Sequence, residues 1–498
     1  MDRSRQYLAV DLGASNGRVL VGRWDGARFD LRELHRFDNG PVAVTGHLYW
    51  DALRLWTEIK AGISKHVAHS RGPVSGLGID CWGVDFALLD RDGRLLGNPH
   101  HYRDPRTDGI MELTLDRVPR EAIYAATGIQ FMKINTLFQL VSMVRAGDAQ
   151  LDLAAVMLPI PNLFNYWLSG ERLAEYTHAT TTQCVDVHRR RWAVELLDRF
   201  EIPSRIFPPI VEAGSTIGPL SPEVAAEVGV VAPVPVIAVG SHDTASAVAA
   251  IPGLAADSAY ISSGTWSLMG VEAAAPVITA RSLELGFTNE GGVAGTIRLL
   301  KNIAGLWLIQ ACRRQWQRDG ATYSWDDLLA AAERAEPFRS IMDPDIPEFL
   351  SPPDMLAAIR GACIRSGQPP PETVGAVVRC SLESLAVRYR ATLDELEELV
   401  GHRLETIRVV GGGSQNRLLC QLTADACGRP VVAGPAEAAA LGNLMVQALA
   451  TGDLDDVTQG RVAIGSSVKL TTYEPRAEGG RWEEAAARMR SFRAATGR

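Results

Sequence analysis

The sequence is poor in the features that would place it in several common classes. Its seven cysteines, Cys81, Cys184, Cys312, Cys363, Cys380, Cys420 and Cys427, are an odd, scattered set with no Cys-x-x-Cys pair. That argues against a zinc site or a disulfide scaffold and points to reduced thiols in a reducing compartment. Cys363 and Cys380, which flank a proline-rich loop, are the pair able to join on oxidation. No apolar run approaches the roughly 20 residues needed to span a bilayer. The apolar run after Arg3 and Arg5 is interrupted at Asp11, unlike a signal peptide, so a cytoplasmic protein is expected, with no membrane partner. An excess of basic charge is also missing: 50 Lys and Arg against 58 Asp and Glu give a net charge of -8. That leaves no bulk electrostatic attraction for nucleic acid. Any anionic ligand must be held by local dipoles or a metal ion.

What is present describes a globular chain of several domains. Its 498 residues exceed a single core and suggest two to four domains, and 46% hydrophobic with 22% charged residues is ordinary. The stretch Tyr7 to Trp24 organises the rest. A short apolar run ends in Asp11, turns through Gly13, Ala14, Ser15, Asn16 and Gly17, and continues from Arg18 as a second apolar run. Small residues at such a reversal let backbone N–H groups crowd a phosphate. A Walker loop would need Gly-Lys-Ser/Thr, and a dinucleotide loop would need GxGxxG opening a helix. Here the β-branched alternation after Arg18 predicts a strand. A plain hairpin with a glycine turn is the other reading.

Further along, Arg28 to Phe37 reads as a third strand and Tyr49 to His69 as a helix, with Leu53, Trp56, Ile59 and Ile63 at helical spacing. Val74 to Asp90 is a buried strand, a Trp-Gly corner and another strand. Strands before and after one helix follow the order of an actin-like or ribonuclease-H-like domain. Trp82-Gly83, with Asp80 and Asp85, offers an aromatic face and carboxylates suited to a polyhydroxy ligand; a core tryptophan beside a turn glycine is the alternative. The loop His100-His-Tyr-Arg-Asp-Pro-Arg is either a solvated face or a second side of that pocket. Glu121 to Arg145 is helical and broken near Gly128. Thr177 to Thr182 is a polar patch with the character of a turn or cleft wall. Val234 to Gly240 is a buried strand running into Ser241-His242-Asp243-Thr244, where Asp243 either faces a cleft or caps the next helix.

Ala259 to Val271 repeats the opening logic around Ser262, Ser263, Gly264 and Thr265. Two such hairpins imply duplicated domains gripping phosphates from both sides. Leu299 to Trp316 carries Lys301, Asn302, Gly305, Trp307 and Gln310 and reads as helix; Ile341 to Gly367 reads as an irregular insertion, and Thr373 to Val400 as a long amphipathic helix. Thr406 to Leu419 is a strand, a triple-glycine turn and a helix, a backbone able to lie against a ring or phosphate. Gly434 to Ala450 is one more helix, and the tail after Glu474 reads as an exposed charged helix.

Four of these loops in this order resemble the FGGY carbohydrate kinases: the acidic strand with its Gly/Ser hairpin, Gly-Ser-His-Asp, the second hairpin, and Gly-Gly-Gly-Ser-Gln-Asn. The likeness runs from about Tyr7 to about Ala450. It is carried by DLGASNGR, GIDCWGVDFALLD, YRDPRT, TGIQFMKINTLFQL, GSHDTASAV and ISSGTWSLMG. Family members usually show a Gln-Met-His-Gly type sequence where this chain has Asp80-Cys-Trp-Gly83, and that departure bears on the substrate. The resemblance implies two duplicated actin-like ATPase (ribonuclease-H-like) α/β domains with an interdomain cleft. Residues 1–245 would form the sugar side with the first phosphate loop, 246–455 the nucleotide side, and 456–498 a tail packing on or extending the second domain.

The implied activity is transfer of the γ-phosphate of ATP to O1 of L-rhamnulose, with Mg²⁺ as cofactor. L-Fuculose or L-xylulose are alternative ketoses, and a non-kinase actin-like nucleotide switch is a remote alternative. By the same resemblance, Asp243 is the catalytic base, and Gly83, His242, Asp243, Thr244 and Asn302 hold the ketose. Ala14, Ser15, Asn16, Gly17, Arg18 and Thr265 form the phosphate hairpins, Gln310 and Gly412 line the nucleotide, and Asp11 holds magnesium through water.

Overall fold

The computed structural model describes residues 5–69, 72–231, 233–350, 352–476 and 480–495. The chain folds as two units. The first comprises Met1–Gly253, Glu272–Leu299 and Ala438–Ser467, and the second Leu254–Val271, Leu300–Glu437 and Val468–Arg498.

The first unit is built on a six-stranded sheet in the order Thr216–Pro219, Pro235–Ile237, Val74–Cys81, Arg5–Leu12, Asn16–Trp24, Phe29–Asp38. The three last strands are antiparallel neighbours, whereas Arg5–Leu12 pairs parallel with Val74–Cys81, and that strand with Pro235–Ile237. Parallel strands in mid-sheet are covered on both faces, which is why Leu8 to Leu12 and Leu77 to Cys81 are buried without alternation. Helix Ala52–His69 lays Leu55, Ile59 and Ile63 on this core.

Helix Ala438–Ala450, distant in sequence, joins the same unit. Gly78 makes room for it, since a Cβ there would come 2.8 Å from Asn443 Oδ1. Gln447 Nε2 donates to the Leu8 carbonyl at 2.9 Å. Helix Asp243–Ala249 packs closely on it, and a Cβ at Gly442 would collide with the Ser246 carbonyl. A second core in this unit, around Phe138, Leu140, Met157 and Tyr176, is contributed largely by helices.

Within the second unit the strands lie in the order Trp266–Ala273, Ser258–Ser263, Thr406–Val410, Val431–Ala433, Thr471–Tyr473. Its hairpin is antiparallel, the hairpin's first strand pairs parallel with Thr406–Val410, and that strand pairs parallel with Val431–Ala433, as in the first unit. The long helix Val374–Val400 and helix Arg417–Cys427 cover it. No helix among the described residues is long and apolar enough to cross a membrane.

Several expected elements differ. Lys301 and Asn302 lie on a strand, Ile297–Ala304, and the helix starts only at Trp307. Gly305 lies between the two, where a Cβ would come within 2.5 Å of the Trp266 backbone. The 341–367 segment is not wholly irregular: Asp354 caps helix Met355–Arg365 through Ala357 N. Thr177 to Thr182 belongs mostly to helix Tyr176–Thr181. The terminal helix Gly480–Ala495 is not simply exposed; Trp482, Ala485, Met489 and Phe492 are buried, and Trp482 meets Phe338 edge-on at 4.7 Å. Against the expected cut at 455, Ala438–Ser467 belongs to the first unit, whose strands Asn443 and Gln447 bind, while Thr471–Tyr473 pairs with Val431–Ala433 of the second unit.

Candidate active site

In the first unit the strand register places the acids. Asp11 stands opposite Arg18 across the hairpin, and their side chains form an ion pair. On its other side the parallel register sets Asp11 beside Asp80. Asp80 is fully buried; Asn443 Nδ2 donates to its Oδ2 at 2.7 Å, and its Oδ1 has no hydrogen-bond partner among the described residues. Burial, and then the charge of Asp11, push the Asp80 carboxyl well above the usual range. The hairpin turn is closed by Gly13 N donating to the Asn16 carbonyl at 2.9 Å and by Asn39 Nδ2 donating to the Gly13 carbonyl at 2.8 Å.

The same sheet delivers Asp243. The chain following Pro235–Ile237 runs alongside Cys81, whose N–H donates to the Ser241 carbonyl at 2.9 Å, and turns into the helix at His242. His242 is the residue at the cap position, without a side-chain cap bond, and Asp243 opens the first turn. The capping alternative for Asp243 is thereby excluded. Its carboxylate accepts from Thr244 Oγ1 at 3.0 Å and lies 3.6 Å from His242 Nε2, with a third of the side chain open to solvent. Loss of solvation and the charge of Asp11 raise its carboxyl, against the pull of His242.

Gly83 closes this corner. A Cβ on it would stand 3.3 Å from Thr181 Oγ1 and 3.4 Å from His242 Nε2, so any larger residue would fill the space in front of His242. Val84, at φ +69, turns the chain away, and Thr136 and Thr181 hold its carbonyl and N–H. Beneath lies Glu175, absent from the sequence-based site. It is fully buried and accepts from Thr177 N, Thr177 Oγ1, His178 N and Ser241 N at 2.6–3.2 Å. It thus ties the helix bearing His178 and Thr181 to the loop bearing His242. Burial lifts its carboxyl to about 7 despite those four donors.

Trp82 and Asp85 do not form an open sugar pocket. Asp85 Oδ2 accepts from Trp50 Nε1 at 2.6 Å, Trp82 Nε1 at 3.0 Å and Tyr102 N at 3.2 Å, and Oδ1 accepts from Gln139 at 3.0 Å. Its capacity is spent on holding two tryptophans, tilted 31° to each other with centroids 4.0 Å apart. The core reading of Trp82 is the one that holds. His47, His100 and Asp104 have ligand atoms within 4.8 Å of one another. Asp104, however, already accepts from Leu48 N at 2.6 Å and Arg106 N at 2.9 Å, and the Arg106 charge acts on His100, so the group is a hydrogen-bonded loop clamp.

In the second unit Thr265 Oγ1 donates to Gln310 Oε1 at 3.2 Å, linking the second hairpin to helix Trp307–Arg318. Gly411, at φ +79, opens the triple-glycine turn. At Gly413 a Cβ would overlap Ser263, whereas Gly412 is exposed with nothing within 4 Å of a Cβ. Asn416 Oδ1 caps the following helix at Leu419 N. Asn302 is half-buried on its strand. The residues named from the sequence are divided between the units: Asp11, Ala14 to Arg18, Gly83, His242, Asp243 and Thr244 in the first, and Thr265, Asn302, Gln310 and Gly412 in the second.

Residues 6–250 match the model of the N-terminal domain of the FGGY family of carbohydrate kinases, and residues 259–451 that of the C-terminal domain. The chain belongs to this family. Among its relatives, a rhamnulokinase of Bacteroides thetaiotaomicron is 48% identical over 95% of this chain and 96% of its own. A rhamnulokinase of Oceanobacillus iheyensis is 42% identical over 94% of this chain and 97% of its own. The fold is similar to that of xylulose kinase from Rhodospirillum rubrum (TM-score 0.78, 19% identity, 99% and 98% of the two chains). It is also similar to Plasmodium falciparum glycerol kinase with ADP (TM-score 0.77, 16% identity, 97% and 98%).

Proposed function

We propose that this chain transfers the γ-phosphate of ATP to the 1-hydroxyl of L-rhamnulose, giving L-rhamnulose 1-phosphate and ADP, with Asp243 as the base. The observation that carries the chemistry is Asp243 itself, one-third open at a helix start beside His242 and Gly83, with its carboxyl raised. A raised carboxyl is a better proton acceptor for a hydroxyl. The choice of sugar is supported by full-length relatives at 40–48% identity that are called rhamnulokinase.

Phosphoryl transfer passes through a loose transition state, so catalysis is mostly positioning and charge neutralisation. His242 and Thr244 flank the base and would orient the sugar, and Gly83 leaves the room it needs. Thr265, Gln310 and Gly412 would hold the nucleotide. The charges of Asp11, Asp80 and Asp243 act on one another, and carboxylate oxygens such as theirs are the hard ligands magnesium takes. Asp11 would hold the ion through water, and the ion would neutralise phosphate charge.

The test is ADP release with Mg-ATP on L-rhamnulose, L-fuculose, L-xylulose, D-xylulose and glycerol. A preference for L-rhamnulose supports the reading. Preference for another ketose moves the pocket assignment, and ATP hydrolysis indifferent to sugar refutes the kinase.

A further inference from the structure

Gly83, Val84 and Asp85 close a turn of three residues. The Asp85 N–H donates to the Gly83 carbonyl at 3.0 Å, and Val84 stands between them at φ +69. A γ-turn of this hand is rare and strained, and a β-branched residue is poorly suited to its centre. Glycine would take the same φ without steric cost. The chain nonetheless has a valine here, its side chain packed on the first unit's core.

Strained backbone persists only where its surroundings over-determine it. Both peptide groups of Val84 are held from outside the turn. Its N–H donates to Thr181 Oγ1 at 3.1 Å, and the Thr181 hydroxyl hydrogen is committed to the His178 carbonyl at 2.8 Å. Toward Val84 that oxygen therefore only accepts. The Val84 carbonyl accepts from Thr136 Oγ1, with Gln139 Nε2 at 3.4 Å. Asp85 is fixed in turn by Trp50, Trp82, Tyr102 and Gln139, and the clamping side chains of Thr136, Gln139 and Thr181 are all buried.

What the clamps hold is the direction of Gly83. Its bare side lies toward Thr181 Oγ1 and His242 Nε2, where a Cβ would stand 3.3 and 3.4 Å from those atoms, and His242 Nε2 is 3.6 Å from Asp243 Oδ1. At an ordinary negative φ the Val84 N–H and carbonyl would swing off their partners, and Gly83 would turn with them. We propose that Thr181 and Thr136 are positioning residues that hold Val84 in its strained turn, so that the bare face of Gly83 stays toward His242 and Asp243 and the ketose fits between. This rests on the kinase reading above and deepens it.

The experiment measures kcat and KM for L-rhamnulose and for Mg-ATP in the full chain. The variants are Thr181→Val, Thr181→Ser, Val84→Gly, and Thr181→Val combined with Val84→Gly. Thr181→Val keeps the shape but removes the acceptor of the Val84 N–H; it is expected to lower kcat/KM for the sugar about ten- to hundredfold, with KM for ATP within about twofold. Thr181→Ser, which keeps the hydroxyl, is expected to stay within about threefold of wild type. Val84→Gly alone is expected to stay within about fivefold, and in that background Thr181→Val is expected to cost less than about threefold, because glycine holds the turn without strain. An equal loss in both backgrounds would mean that Thr181 acts on the sugar directly, and it overturns the proposal. Where Thr181→Val does not fold, Thr136→Val with and without Val84→Gly decides by the same comparison. A wild type inactive on every ketose overturns the kinase reading and this proposal together, whereas an active wild type with an indifferent Thr181→Val overturns the proposal alone.

Discussion

In the first hairpin Asp11 on the outgoing strand faces Arg18 on the returning one, with Asp80 on the neighbouring parallel strand. In the second hairpin no charged residue occurs from Ile261 to Met269, and the turn presents Ser262, Ser263 and Thr265. Both are antiparallel hairpins beside a parallel strand. The first uses that frame to bring carboxylates together, which requires Arg18 and Asn443 to satisfy them. The second brings backbone close to backbone, with Gly413 against Ser263 and the Leu306 N–H on the Gly264 carbonyl at 3.0 Å. One topology thus supports a charged site or a nearly uncharged cradle, according to which side chains stand at the strand ends.

The contrast breaks most sharply at Asp243. Asp243→Asn is expected to lower kcat about 10²- to 10⁴-fold with the fold intact, as measured by ADP release and circular dichroism. An equal loss of thermal stability would make the residue structural.

The charged side is sharpened by Glu175. Its carboxyl titrates near 7 when folded and near 4.5 when free. Between those values the folded state binds more protons, so Glu175 contributes a loss of stability as pH rises from about 4.5 to 7. Buried His178 has the opposite sign. Burial lowers it from 6.5 to about 3, so stability falls as pH drops below about 6.5. In Glu175→Gln the first dependence disappears, and the unfolding free energy relative to wild type should rise between pH 5 and 7 by up to roughly 3 kcal/mol. Urea titrations across that range check it; a parallel offset would remove Glu175 from the account.

The uncharged side is sharpened by a pair of glycines. Gly413→Ala should cost about 1–3 kcal/mol by forcing Ser263 aside. Gly412→Ala should leave stability within about 0.5 kcal/mol and raise KM for ATP, because only a ligand would meet its Cβ. Denaturation midpoints and ATP saturation curves separate the two, and early unfolding of Gly412→Ala would contradict the cradle. Asp11→Asn is expected to lower kcat by weakening the hold on Mg²⁺, and its smallest effect is on the pH profile. Asp243 must be ionised to take a proton, so activity falls as pH drops through its raised value. Removing the Asp11 charge should move that acid limb to lower pH by about one unit or less.

Much of this frame was legible in the sequence. The alternation after Arg18, the glycine turn of the first hairpin, its repeat at Ser262 to Thr265, and the strand running into Ser241-His242-Asp243 are local signals written in consecutive residues. What was not legible depends on partners far along the chain. Nothing near Asp80 announces Asn443, and nothing near Val84 announces Thr136 and Thr181. Asp85 is the instructive miss: beside Trp82 it resembles a sugar ligand, yet Trp50, Tyr102 and Gln139, from three other segments, consume its oxygens. The terminal helix misled similarly, since its buried face is defined by residues such as Phe338.

By itself the sequence determined the order of strands and turns, the two phosphate-type hairpins, and the acid placed at the end of each key strand, because backbone periodicity and turn chemistry act over a few residues. The tertiary structure alone decided which of those acids are free to do chemistry. Burial and hydrogen-bond partners are properties of a place in the fold: Asp85 was enclosed and saturated, Glu175 was set beneath the site, and Asp243 kept one side open to a ligand.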